Sequence, residues 1–211
     1  MNKPVIIIGV TPLGKAVLDI FKSNDVVVYG FLDDDKKLHG KEIEDIQVLG
    51  STDDDDYLKI IGKDCDVFIA SDDNSWKATI IKSLRKQQKA IPINAIHSLA
   101  SISKTAIMHH GSFINQAVAV GANSEIGNHC MIHSGSVVDF DVRIGDFVQI
   151  GSGSVINPGV VIEDGAFIGS GSTLIAGITI KEGARVGAGS VVIADVKKNE
   201  TVFGNPAQAI K

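Results

Sequence analysis

Two groups of residues in this 211-residue chain have types and spacing that could do chemistry. In the first, the apolar run Val5-Ile6-Ile7-Ile8 leads straight into Gly9-Val10-Thr11-Pro12-Leu13-Gly14. A glycine-bounded turn between a buried strand and a helix can hold phosphate on the unsatisfied N–H groups of the helix N-terminus. Thr11 offers a hydroxyl there, whereas Pro12 offers no N–H and suits the first helical position. Further on, Gly30-Phe31-Leu32 ends in Asp33 and Asp34, acidic residues that can cap a strand end. A full Gly-x-Gly-x-x-Gly fingerprint is missing, which argues against a classical NAD site. In the second group, His133 precedes Asp139 and Asp141. An imidazole that reaches a carboxylate is a general-base pair; one that does not is a polar surface or inter-subunit residue. Both readings are open from the sequence.

The elements that must position the first group are β-α units. Val5 to Gly9 is a buried-strand run, followed by a helix from about Leu13 to Lys22. Val26 to Leu32 and Asp66 to Ala70 read as further strands, and Trp76 to Gln87 as a helix with Ile80, Ile81 and Leu84 on its apolar side. Strands alternating with helices imply a parallel sheet, hence an α/β Rossmann-like domain over residues 1–96. The acidic run Asp53 to Asp56 reads as a solvated loop or helix N-terminus, where carboxylates are favoured.

The second group sits in a different kind of chain. From Ile102 every sixth residue, through Met108, Ile114, Val120 and onward to Val192, is aliphatic or methionine without one exception. Glycine follows that residue at 121, 127, 145, 151, 169 and 187. A small or β-branched residue stands four places on, as at Ser124, Cys130, Ser136 and Val142. A period of six would scatter apolar groups around a helix, but it fits one short strand plus a corner. Three such units close a triangular coil, and coils stack by parallel pairing at about 4.8 Å. Residues 97–211 are therefore expected to form an all-β parallel β-helix of about five coils with a C-terminal tail. His109, His110, His129 and His133 lie on those coils, yet no interval of six or eighteen relates any three of them, so no metal site is expected.

Composition narrows the remaining classes. A net charge of −5 without a basic stripe argues against a nucleic-acid binder. Two cysteines, Cys65 and Cys130, stand far apart and without metal-type spacing, as in a reduced intracellular protein. The run Val5 to Val10 is too short for a signal sequence and nothing is long enough to span a bilayer, so a cytoplasmic location is expected.

The hexad, together with the ending Val202-Phe203-Gly204-Asn205-Pro206-Ala207, resembles the hexapeptide-repeat acyltransferases. The combination with a small Rossmann-like domain resembles one branch of them. That branch holds the sialic-acid O-acetyltransferases and the bacterial N-acetyltransferases of nucleotide-linked amino sugars. The resemblance implies a left-handed β-helix, although the general preference of crossovers would favour the right hand. It also implies a homotrimer, with acetyl-CoA as co-substrate in the groove between neighbouring β-helices. Gln149, Gly151, Gly169, Gly187, Gly204, Asn205 and Pro206 are the residues that would line that groove. Gly9, Thr11, Asp33 and Asp34 would bind the nucleotide-linked sugar, and the product would serve surface polysaccharide or glycoconjugate synthesis.

The chain departs from the family at the chemical site. Relatives carry a Glu-His-Asp or Glu-His-Glu run where this chain has Asp139-Phe140-Asp141, and a second family histidine is replaced by Gln149. Phenylalanine cannot move a proton, so His133 is the candidate base, with Asp139 or Asp141 as partner. An amine near the α-amino range, about 7.7–8.0, is already partly neutral at cytoplasmic pH and tolerates a weak base better than a hydroxyl does. Transfer to an amino sugar is the leading expectation; a catalytically weak homologue serving as a trimeric binding or scaffold protein is the alternative.

Overall fold

The computed structural model describes residues 3–210; Met1, Asn2 and Lys211 lie outside them. The chain forms two compact units, Met1–Ser98 and Leu99–Lys211.

In the first unit the β-branched run forms β1 (Val5–Ile8), and all four of its side chains are fully buried. Helix α1 (Pro12–Ser23) begins with Pro12 in its first turn and Thr11 as N-cap. Strand β2 (Val28–Leu32) pairs parallel with β1. A short hairpin of β3 (Glu42–Ile43) and β4 (Ile46–Gly50) follows, with β4 parallel to β2. The single-turn α2 (Asp55–Leu58) has Asp54 as N-cap and Asp55 and Asp56 in its first turn, so the acidic run is a helix N-terminus. Strand β5 (Asp66–Ile69) pairs parallel with β1, and α3 (Asn74–Gln88) closes the unit with Asp73 as N-cap. The sheet order β3-β4-β2-β1-β5 places the reversal of winding between β1 and β5. In such sheets ligands bind outside the carboxyl ends of the strands.

The second unit is a left-handed parallel β-helix. Sixteen two-residue strands recur every six residues from Ser101–Ile102 to Val191–Val192. Each pairs with the strand eighteen residues away, for example Val120 with Val138 and Val138 with Ile156. The result is three flat faces. Their inward residues from Ile114 to Val192 are all buried, while Ile102 and Met108, on the first coil, are half-buried because no coil stacks below them. The small residues at the inner corners are buried too, and their chemistry explains the choice of serine. The hydroxyls of Ser112, Ser136 and Ser172 donate to carbonyls fifteen residues on, and Ser112 also accepts from Cys130 N–H. Cys130 fills the same place with its thiol toward Gly145 O at 3.0 Å. Each such bond satisfies a corner carbonyl that the strand ladders leave over.

Glycine after the inward residue has a packing reason. A Cβ on Gly151 would stand 2.5 Å from Ser170 N, and one on Gly169 2.5 Å from Ala188 N. The neighbouring coil's backbone passes too close for any side chain. After the last coil, the strand Thr201–Gly204 pairs parallel beside Arg185–Val186 and turns back through Asn205 and Pro206 into the antiparallel Ala207–Ala209.

Candidate functional site

The first unit has a pocket of about 240 Å³ lined by Gly9, Thr11, Asp33, Asp34, Thr52, Ala70, Ser71 and Trp76. All four residues expected to bind a nucleotide-linked sugar therefore line one cavity. It lies past the carboxyl ends of β1, β2, β4 and β5, where a doubly wound sheet places its ligand.

The polar groups here are already engaged with the chain itself. Thr11 Oγ1 accepts from Gly14 N–H at 3.0 Å and donates to Ala70 O at 3.0 Å, so its hydroxyl is a helix cap. Asp33 Oδ2 accepts from Val10 N–H at 2.7 Å, and its Oδ1 accepts from Asp35 N–H at 2.9 Å. Asp34 Oδ1 accepts from both the N–H and the hydroxyl of Thr52, at 2.9 and 2.8 Å. Asp33 thus ties the glycine loop to the end of β2, and Asp34 ties the end of β2 to the end of β4. Thr52, Ala70, Ser71 and Trp76 are the pocket residues that the sequence reading missed. Thr52 follows β4, a strand not read from the sequence; Ser71 follows directly on β5, where a side chain past a strand end is the available signal.

In the β-helix three of the expected cofactor residues are collinear. Gly151, Gly169 and Gly187 recur at eighteen-residue spacing along one corner, and His133 heads that column. His133 N–H donates to Ile150 O, Gly151 N–H to Ile168 O and Gly169 N–H to Val186 O, one step of the ladder each. Gln149 lies on the outer side of the adjoining face, beside Met131 and Phe167. At the far end Gly204 N–H donates to Ser190 Oγ at 3.1 Å, and Asn205 and Pro206 are exposed at the hairpin turn. This edge carries a bare backbone from Gly151 to Gly187, with a histidine at one end and an exposed turn at the other.

Asp139, Phe140 and Asp141 occupy the next corner, across a full face from His133. Asp139 Oδ1 accepts from Phe140 N–H at 2.8 Å, and Asp141 Oδ1 accepts from Asn123 Nδ2 at 3.3 Å. Phe140 is 49% exposed. Within one chain the structure does not bring these carboxylates to His133. The imidazole instead meets Phe113 edge-on, with ring centroids 5.5 Å apart, and burial pushes its pKa below the ordinary histidine value. A neutral imidazole is the form that can accept a proton.

A second groove, of about 340 Å³, runs along another face between Glu125, Arg143, Glu163 and Glu182. Its carboxylates are largely paired: Glu163 with Lys181 at 2.8 Å, Glu182 with Lys198 at 2.7 Å and Glu125 with His109 at 3.0 Å. Among the described residues no cluster of histidine, cysteine and carboxylate side chains could hold a metal, and no helix is long and apolar enough to cross a membrane.

Residues 4–84 match the family described as PglD N-terminal domain, and residues 141–176 and 160–194 match bacterial transferase hexapeptide (six repeats). No curated protein matches the sequence. Among solved structures, a variant of perosamine N-acetyltransferase from Caulobacter crescentus, in complex with CoA and GDP-perosamine, is 29% identical. The match covers 100% of this chain and 98% of that one with a TM-score of 0.90. The acetyltransferase domain of PglB from Neisseria gonorrhoeae, in complex with acetyl coenzyme A, is 25% identical over 100% of both chains with a TM-score of 0.90. WeeI from Acinetobacter baumannii is 26% identical over 99% of this chain and 100% of that one, with a TM-score of 0.85. The chain thus carries a PglD-type N-terminal domain followed by a hexapeptide β-helix, the domain make-up of the sugar acyltransferases it matches.

Proposed function

We propose that the chain transfers an acetyl group from acetyl-CoA to the amine of a nucleotide-linked amino sugar, in surface glycan synthesis. The observation that carries this is the end-to-end match, at a TM-score of 0.90, to a transferase holding both CoA and a nucleotide-linked amino sugar. On this reading residues 1–96 bind the nucleotide-linked sugar, and residues 97–211 carry acetyl-CoA along the Gly151, Gly169 and Gly187 edge toward Gly204, Asn205 and Pro206. Gln149 flanks that edge on the adjoining face.

The acceptor nitrogen attacks the thioester carbonyl, the new C–N bond forms and the C–S bond breaks. Backbone N–H groups stabilise the oxyanion, and the neutral His133 takes the proton that the nitrogen gives up. A trimer brings a corner of one subunit against its neighbour, so the carboxylate that orients His133 comes from Asp139 or Asp141 of an adjacent subunit. The surface for that contact is the outer side of the face carrying Ala119, Val137, Val155, Thr173 and Val191, which bears no charge. Val137 and Val155 are more than a third exposed, whereas the other two faces carry Glu125, Arg143 and Arg185 outward. The setting is the cytoplasm, where acetyl-CoA and nucleotide-linked sugars are found together.

A coenzyme A release assay over a panel of nucleotide-linked amino sugars tests the activity. N-acetylated product from at least one of them is expected, and O-acetylated product alone would overturn the amine acceptor. Light scattering should give the mass of three subunits; a monomer would remove the inter-subunit carboxylate. The competing reading, a catalytically weak trimeric scaffold, draws on Phe140 and is favoured if no acceptor releases coenzyme A.

A further inference from the structure

The pocket in the first unit has a lining that suits one part of a nucleotide better than another. Its two ionisable residues, Asp33 and Asp34, are carboxylates; among the described residues no lysine, arginine or histidine lines it. A diphosphate needs N–H donors or cations, and the glycine loop has few to spare. Val10 N–H is given to Asp33 Oδ2, Gly14 N–H to Thr11 Oγ1, and Pro12 has none. The Thr11 hydroxyl spends its own hydrogen on Ala70 O. Bringing a pyrophosphate against two carboxylates without a cation is repulsive.

What the lining does offer is an acceptor and an aromatic wall. Asp34 takes both Thr52 bonds on Oδ1, and among the described residues its Oδ2 accepts none. Ribose hydroxyls and the N–H edges of bases are donors that suit such an oxygen. Trp76, in the first turn of α3, is half-buried and lines the same cavity. A cavity of about 240 Å³ puts any occupant of nucleoside size in reach of both. Aromatic side chains stack on bases with little regard to sequence.

We infer that this pocket recognises its ligand through the nucleoside, held between Asp34 and Trp76, and that the diphosphate contributes little to affinity. The inference rests on the reading that the acceptor is nucleotide-linked, and it adds Trp76 as a binding residue.

Trp76 is the chain's single tryptophan, so its fluorescence reports on the pocket. Uridine, thymidine, guanosine, their diphosphates and inorganic pyrophosphate are titrated without acetyl-CoA, with calorimetry as the second readout. At least one nucleoside should bind within about tenfold of its diphosphate. Pyrophosphate should neither bind nor compete at millimolar concentration. Trp76→Ala should weaken nucleoside binding at least tenfold by calorimetry while circular dichroism stays unchanged, and Trp76→Phe should restore most of it. A diphosphate preferred by more than tenfold, competition by pyrophosphate, unaltered binding in Trp76→Ala, or no binding of any nucleoside would each overturn the inference. Coenzyme A release is measured separately on the unaltered protein. Transfer combined with diphosphate-dominated binding sinks only this inference; nucleoside binding without transfer sinks only the proposed activity.

Discussion

The pocket of the first unit and the histidine edge of the β-helix are built on opposite plans. In the pocket each polar side chain also holds the fold: Thr11 caps a helix, Asp33 ties down the glycine loop and Asp34 fastens two strand ends together. On the edge the fold is held by other residues, namely the buried inward aliphatics and inner-corner serines and the glycines that let coils touch. Side chains that point outward from the corners, such as Phe140, carry none of that burden. A substitution of chemistry is therefore structurally expensive in the first region and cheap in the second, where the corner residue Phe140 is half exposed.

The comparison is broken most severely by placing a side chain where coils touch. Gly169→Val puts branched carbons against Ala188 N and should cost about 3 kcal/mol or more, read as a large drop in thermal midpoint. An unchanged midpoint would mean that the coils separate more easily than their spacing implies. His133→Ala should lower kcat by about 100-fold with little effect on the midpoint. The pH profile sharpens the point. Burial lowers the pKa of folded His133, so its neutral form persists to lower pH than an ordinary histidine's. The acidic limb of kcat should therefore fall below about pH 6.5. The same shift means that the unfolded chain takes up this proton first, so stability declines as pH drops below that value. Asp33→Ala leaves Val10 N–H without its acceptor and should cost about 1–3 kcal/mol in chemical denaturation, together with ligand binding. At the small end, Phe140→His should change stability by less than about 0.5 kcal/mol. A gain in hydroxyl acetylation by that variant would show that the altered corner sets the acceptor.

The same contrast explains what was legible in the amino-acid order. An interior that repeats every six residues imposes one environment sixteen times, so Ile114 through Val192 could be placed from spacing alone. The hand of the coil could not, because a period has no chirality. Gly151 and Gly169 were expected only as the lining of a cofactor groove, whereas contact between coils already demands glycine there. In the first unit Gly9, Thr11, Asp33 and Asp34 fall in one cavity because they follow consecutive strands, β1 and β2. Trp76 escaped because it was counted as part of a helix, and only the crossing from β5 to α3 brings it over the sheet end. The engagement of the Thr11 hydroxyl hydrogen was hidden for a similar reason: its acceptor, Ala70 O, is fifty-nine residues away.

The eighteen-residue circuit has a further consequence for how such a protein can change length. Adding or removing six or twelve residues would carry everything beyond the insertion onto a different face, parting His133 from Gly151 and its successors. Only whole circuits preserve the alignment. Each circuit advances about 4.8 Å, so the three steps from His133 to Gly187 measure out ~14 Å. The solenoid thus works as a graduated ruler, and the reach from His133 toward the terminal hairpin can be set only in whole divisions.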